Sequence, residues 1–373
     1  MKAIRRIIKT VAGVAAAFCM ASAAAQSPGY RIETVAEGLS HPWSLAFLPD
    51  GSKLVTEREG RLRLIDAKGQ LRPEPVDGVP HDYAAKQAGL MDVAVDPDFS
   101  FNQTIYLTHA YGTRRANNTR VARARLVDGQ LVDVQTLFNA APAKPGSSHY
   151  GGRIAFLSDG TLVLTLGDGF DQREAAQVPS SHLGKTVRLN RDGSVPRDNP
   201  FVNQPGFAPE VYTLGHRNVQ GIVYDRDTKR LYIHEHGPRG GDELNLLEAG
   251  GNYGWPLATH GVDYTGARVS PHRALPGMRD ALLVWTPSIA PSGMALYRGK
   301  QFPAWQGDLF ISTLAEKGVR RVVMKDGRPT GEQQVLFTEL DARIRDVRSG
   351  PDGALYLLTD GEDGKLLRVT PRQ

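Results

Sequence analysis

Beyond residue 25, short apolar runs rich in Val, Leu, Ile and Thr alternate with turns of Gly, Asp, Asn and Pro, and almost no stretch holds a helical period. The pattern predicts an all-β chain. Several runs share one grammar, an Asp/Gly turn followed by an apolar strand and then a second strand. It is clearest at Pro49-Asp50-Gly51 before KLVTE, Ser158-Asp159-Gly160 before TLVLTLGDG and Pro351-Asp352-Gly353 before ALYLLTDG. Looser copies stand at Asp96-Pro97-Asp98, Asp225-Arg226-Asp227 and Gly307-Asp308.

Six diverged landmarks along one chain predict a six-bladed β-propeller, because a four-stranded unit buries both faces only between neighbours. The 348 residues after position 25 give 58 per blade, against roughly 40–50 in compact blades. The surplus predicts long loops at the mouth, the largest within 236–293. Long ordered loops on a rigid scaffold are where function concentrates. Helix-length crossovers are missing, which excludes a parallel sheet.

Composition changes the picture only at the N-terminus. Residues 1–25 place Lys2, Arg5, Arg6 and Lys9 before an Ala-rich apolar run that ends in Ala23-Ala24-Ala25, the three-part layout of a secretory signal peptide. The expected organisation is a leader over 1–25 and one propeller domain over 26–373, exported to a bacterial periplasm with no integral membrane segment after cleavage. The formal charge of +5 then falls to 41 basic against 40 acidic residues, and the single cysteine, Cys19, leaves with the leader. No basic run with interleaved aromatics remains, so nucleic acid is not an expected partner.

Chemistry gathers in a few Gly-rich segments. His149, in SSHYGGR, is a candidate general base, since imidazole titrates near neutrality; a structural histidine is the competing reading. Arg343 and Arg345 alternate on the strand opening the last repeat and would face one way. With Arg217 and Lys317 from other blades they could hold a small polyanion, or form surface ion pairs. His234 and His236 share one strand face, but no third histidine accompanies them and structural roles are the better reading. The Gly-Pro turn followed by Asp242-Glu243 offers carbonyl and carboxylate oxygens to a hard cation, or is a solvated acidic turn. There is no Gly-x-Ser-x-Gly elbow and no nicotinamide fingerprint.

Eight blocks in order, HPWSLAFLPDG (41–51), QAGLMDVAVDPDF (87–99), HYGGRIAF (149–156), GHRNVQG (215–221), EHGPRGGDELN (235–245), GGNYGWP (250–256), PSIAPSGM (287–294) and RIRDVRSGPDGALYLLTD (343–360), resemble the soluble quinoprotein sugar dehydrogenases. The branch they resemble most is that of the periplasmic aldose sugar dehydrogenases, similar to soluble glucose dehydrogenase. The resemblance implies a six-bladed propeller that carries pyrroloquinoline quinone (PQQ) and calcium (Ca2+) at one mouth. Aldoses would be oxidised at the anomeric carbon to lactones, with electrons passed to a periplasmic quinone or cytochrome.

Carried onto this chain, the resemblance makes His149 the base and sets Arg217 and Asn218 at the quinone oxygens. Gln87, Lys317, Arg343 and Arg345 would hold the cofactor's carboxylates, and Tyr264 would lie against it. The carbonyls of Gly237 and Pro238 would bind the catalytic calcium; Glu243 and Tyr253, with Asp263, would form a structural calcium site. The chain departs from the family pattern at Ser148, at Thr286 and in the LAEKG turn, which carries an extra residue before Lys317. The first two fall where sugar is recognised, so broad aldose use is expected. Two other readings compete, a calcium-dependent sugar lactonase and a non-catalytic binding propeller.

Overall fold

The structure, a computed structural model, describes residues 29–80 and 82–372; the expected leader over 1–25 lies outside the described residues. Its strands form six antiparallel sheets that follow one another along the chain. Blade one holds Pro42–Phe47, Lys53–Glu57 and Arg61–Ile65, and blade two Leu90–Val95, Thr104–Thr113, Ala116–Val127 and Gln130–Asn139. Blade three holds Ile154–Phe156, Thr161–Thr165, Lys185–Asn190 and Val211–Leu214, and blade four Val219–Asp225, Arg230–Glu235, Asp242–Leu247 and Leu283–Trp285. Pro291–Leu296, Leu309–Thr313, Gly318–Lys325 and Arg328–Leu336 make blade five. Blade six combines Ile344–Ser349, Leu355–Thr359 and Gly364–Pro371 with the first strand of the chain, Tyr30–Leu39. That last pairing sets Ile32 opposite Val369 and closes the ring with the two ends of the propeller.

Each Asp/Gly landmark read from the sequence falls between the first and second strands of a different blade. The carboxylates of Asp50, Asp96, Asp159, Asp225 and Asp352 accept the backbone N–H two residues on, the local turn that Asp favours. Blade one departs from the expected four strands. After Ile65 only isolated bridges at Leu71 and Val76 continue the sheet, because Pro73 and Pro75 supply no N–H to a ladder.

The core lies between blades rather than within them. Six apolar clusters each join residues of two adjacent sheets, such as Phe310 and Val319 of blade five with Leu355 and Leu367 of blade six. Second strands such as Leu355–Thr359 are buried along their length, which is why they read as continuous apolar runs. Inner strands are tied by buried carboxylates: Asp92 accepts Ile154 N–H at 2.8 Å and Asp346 accepts Leu45 N–H at 3.0 Å, each across a blade boundary.

In an antiparallel meander, second-to-third connections and blade-to-blade connections emerge at the same end, opposite the Asp/Gly turns. The segments 140–153, 166–184, 215–218, 236–241 and 337–343 are all of this kind. Segment 248–282 leaves at the other end and climbs back beside blade three. Asn252 bridges Leu214, and Trp255 N–H donates to Gly215 O at 2.9 Å. One mouth thus collects the chemically dense segments.

Candidate active site

The centre of the mouth is built on blade three. Gly167 bridges Asn218 and Asp168 N–H donates to Arg217 O at 2.8 Å, so the turn after the second strand is stitched to the connection into blade four. A side chain at position 167 would collide with the His149 carbonyl, so only glycine lets these segments meet. His149 Nδ1 lies 2.7 Å from Asp168 Oδ1, and its N–H donates to Gln87 Oε1 at 2.8 Å. A carboxylate at Nδ1 fixes the proton there and leaves the Nε2 lone pair as the basic position. Burial pushes the imidazole below its ordinary value; Asp168 opposes this, while Arg217 and Lys144 reinforce it. His149 therefore stays a neutral acceptor at neutral pH.

Arg217 is buried and held by neighbouring segments. Its N–H donates to Glu235 Oε2 at 2.6 Å and its Nη1 to Gly237 O at 2.7 Å, and its guanidinium lies 5.4 Å from the Trp255 ring and 5.9 Å from that of Tyr264. It lines an open cavity of ≈ 350 Å³ with Phe170, Pro238, Trp255, Asp263 and Tyr264. Phe170 meets the His149 ring edge-on at 5.0 Å and stacks on Tyr264 at 6.2 Å.

A second cavity, ≈ 300 Å³, is walled by Gln87, Asn218, Arg343 and Arg345, with Trp43 and Asp360 among the remaining lining. Arg343 Nε and Arg345 Nη2 reach the same Asp360 oxygen, at 3.1 and 3.3 Å. Two guanidinium groups thus share one carboxylate, and buried Arg345 Nε has no hydrogen-bond partner among the described residues. Lys317 is not brought here: it is half exposed, is paired with Asp341 at 2.8 Å and does not line the cavity.

A smaller void of ≈ 10 Å³ is lined by Gly215, Glu235, Gly237, Glu243, Tyr253 and Thr259, among others. Burial, with the Glu235 charge beside it, pushes the Glu243 carboxyl well above the carboxylate range. Asn245 Oδ1 is buried and unpaired next to them. The Tyr253 hydroxyl is committed, accepting Glu248 N–H and donating to Leu246 O, which leaves only its main chain for a cation. Pro238 and Asp263 lie instead on the open cavity, where Asp263 pairs with Arg173. His234 and His236 bond carbonyls of blade five, Gly293 O and Pro291 O.

Residues 39–368 match the Glucose / Sorbosone dehydrogenase family. The chain belongs to that family. It is 41% identical to the aldose sugar dehydrogenase YliI of Escherichia coli over 95% of this chain and 96% of that one. Among solved structures, the apo-form soluble aldose sugar dehydrogenase of E. coli superposes with a TM-score of 0.88 at 40% identity, covering 92% of this chain and 100% of the other. The PQQ-bound aldose sugar dehydrogenase of Streptomyces coelicolor gives 0.76 at 30% identity, covering 91% and 98%.

Within this dehydrogenase fold, sequence reasoning missed Asp168, Phe170 and Lys144. Asp168 sits in a Gly-Asp-Gly after a strand and reads as a plain turn; only its position at the start of a second-to-third connection, on the same face as His149, could have singled it out. Phe170 and Lys144 carry no local signal.

Proposed function

We propose that the protein is an exported, PQQ- and calcium-dependent aldose dehydrogenase with His149 as general base. The observation that carries this reading is the His149–Asp168 pair beside a cavity in which two arginines share one carboxylate. Kinship with aldose sugar dehydrogenases, one of them solved with PQQ, supports the same cofactor here.

The residues present fit both groups. A flat tricarboxylate would give Arg345 Nε its missing acceptor and balance the excess positive charge at Arg343 and Arg345. Gln87 and Asn218 would bond its remaining polar edge. A hard cation would neutralise the buried Glu235–Glu243 pair and satisfy Asn245 Oδ1. The Gly237 carbonyl would serve a cation while still accepting from Arg217, and Pro238 O would be its neighbouring ligand.

When bound, PQQ supplies the two-electron acceptor for hydride from C1 and calcium the Lewis acid that polarises it. His149 Nε2 takes the proton of the anomeric hydroxyl, and Asp168 balances the imidazolium that forms. The sugar, having lost hydride and proton, leaves as the lactone. Arg217, fixed by Gly237 O and Glu235, presents a positive charge where negative charge develops. Phe170 and Tyr264 give the sugar an apolar wall, and a periplasmic quinone or cytochrome takes the electrons onward. A lactonase would have no use for the paired arginines.

The test is equilibrium binding of PQQ in calcium, followed by dye reduction across a panel of aldoses. Submicromolar binding with turnover of several aldoses is expected. Absence of binding, or lactone hydrolysis without PQQ, would overturn the reading.

A further inference from the structure

Lys144 is a buried amine that the reaction above does not use. It stands in the connection that carries His149, and its ammonium lies 3.9 Å over the Tyr150 ring and 3.2 Å from Asn117 Oδ1. The same Asn117 oxygen accepts the Tyr150 hydroxyl at 2.6 Å, and Asn117 Nδ2 binds Gly146 O at 2.8 Å, so the three side chains form one locked cluster under the loop. The Lys144 stem fills the space that a side chain at position 169 would need, beside Asp168. Among the described residues no carboxylate pairs with the amine in direct contact. The charged groups facing it are Asp168 and Asp171, from 166–184; those facing His149 are Asp168, Arg217 and Lys144, with His236 nearby.

We propose that Lys144 is a positioning residue for the base: its buried ammonium, fixed on Asn117 and Tyr150 with its stem against the backbone beside Asp168, keeps His149 Nε2 free of a proton. The inference rests on His149 acting as the base. A cation held near an imidazole disfavours imidazolium, while the same cation favours the neighbouring carboxylate. Both effects preserve the state in which Nδ1 donates and Nε2 accepts. Tyr150, bonded to the same Asn117 oxygen, also lines the cavity of Arg343 and Arg345. Burial pushes the amine itself down to about 8, against the pull of Asp168 and Asp171.

The experiment is histidine-selective NMR titration of the metal- and cofactor-free protein, paired with the pH profile of kcat/KM for the reconstituted one. In Lys144→Met the His149 titration should move up by about 0.5–1 pH unit, and the acid limb of kcat/KM should move with it. Lys144→Arg should keep both near wild type. In the wild type a second inflection of the His149 resonances near pH 8 should report Lys144, so the inference remains testable if Lys144→Met does not fold. An unmoved His149 titration in folded Lys144→Met, or no inflection near 8 in the wild type, overturns it. If His149→Ala instead keeps full turnover, the base assignment falls, and the titrations still decide the electrostatic link.

Discussion

Trp255 Nε1 donates to Asp168 Oδ2 at 2.8 Å, while the other oxygen of that carboxylate holds His149. A residue from the long segment of blade four thus fixes the partner of a base supplied by the connection between blades two and three. The pairing predicts that Asp168→Asn lowers kcat about a hundredfold or more, because an amide no longer enforces the Nδ1–H tautomer. Trp255→Phe should cost about tenfold while PQQ still binds. Steady-state kinetics at saturating PQQ check both, and a kcat within threefold of wild type for Asp168→Asn would contradict the role.

Depressed imidazoles set the pH dependence. Burial lowers His149 and takes His234 down to about 3. At these two histidines the native state binds fewer protons than the unfolded chain below about pH 6.5, so their contribution to stability is full above that value and is lost as pH falls toward the folded values, outweighing the opposite contribution of the raised carboxyl of Glu243. Urea midpoints should fall steadily from pH 6.5 to 4. The acid limb of kcat/KM should lie below 6.5, where an unperturbed histidine would place it. A flat midpoint, or a limb above 6.5, would contradict these assignments.

The unpaired Arg345 Nε predicts where cofactor affinity resides. Arg345→Lys keeps the charge and loses the fork, and should weaken PQQ binding by about tenfold; Arg345→Ala should weaken it by a hundredfold or more. Turnover at full occupancy should change far less. Fluorescence titration with PQQ checks this, and equal affinity of wild type and Arg345→Ala would sink the assignment. Lys317→Ala, already paired outside the cavity with Asp341, should leave affinity within about threefold.

Calcium should stabilise the fold through Glu243 and Glu235. At free calcium a hundred times its Kd the gain is about 2.7 kcal/mol, read as a rise in unfolding midpoint that chelation reverses. Glu243 is largely protonated without the cation, so Glu243→Gln should leave the calcium-free protein near wild type at neutral pH and abolish most of the calcium-dependent rise. An undiminished calcium effect in Glu243→Gln would place the cation elsewhere.

What was legible in the sequence was whatever is local. The Asp/Gly turns could be counted because five of the six are closed by their own aspartate, and their number is the number of blades. His149, Arg217, Asn218, Arg343 and Arg345 could be named from ordered blocks. Asp168 and Lys144 could not, since their roles depend on pairing across connections: Asp168 on the bridge between Gly167 and Asn218, Lys144 on an asparagine 27 residues away. The three-stranded first blade was hidden for the opposite reason, because Pro73 and Pro75 spoil a strand only where a ladder would need their N–H.

The most direct measurement of the central claim is stopped-flow reduction of bound PQQ by an aldose, comparing wild type with His149→Ala at equal PQQ occupancy. General-base removal of the anomeric proton predicts a reduction rate lower by about 10²–10⁴ in the variant, with PQQ affinity little changed. Equal reduction rates, or no reduction of PQQ by any aldose in the wild type, would contradict it.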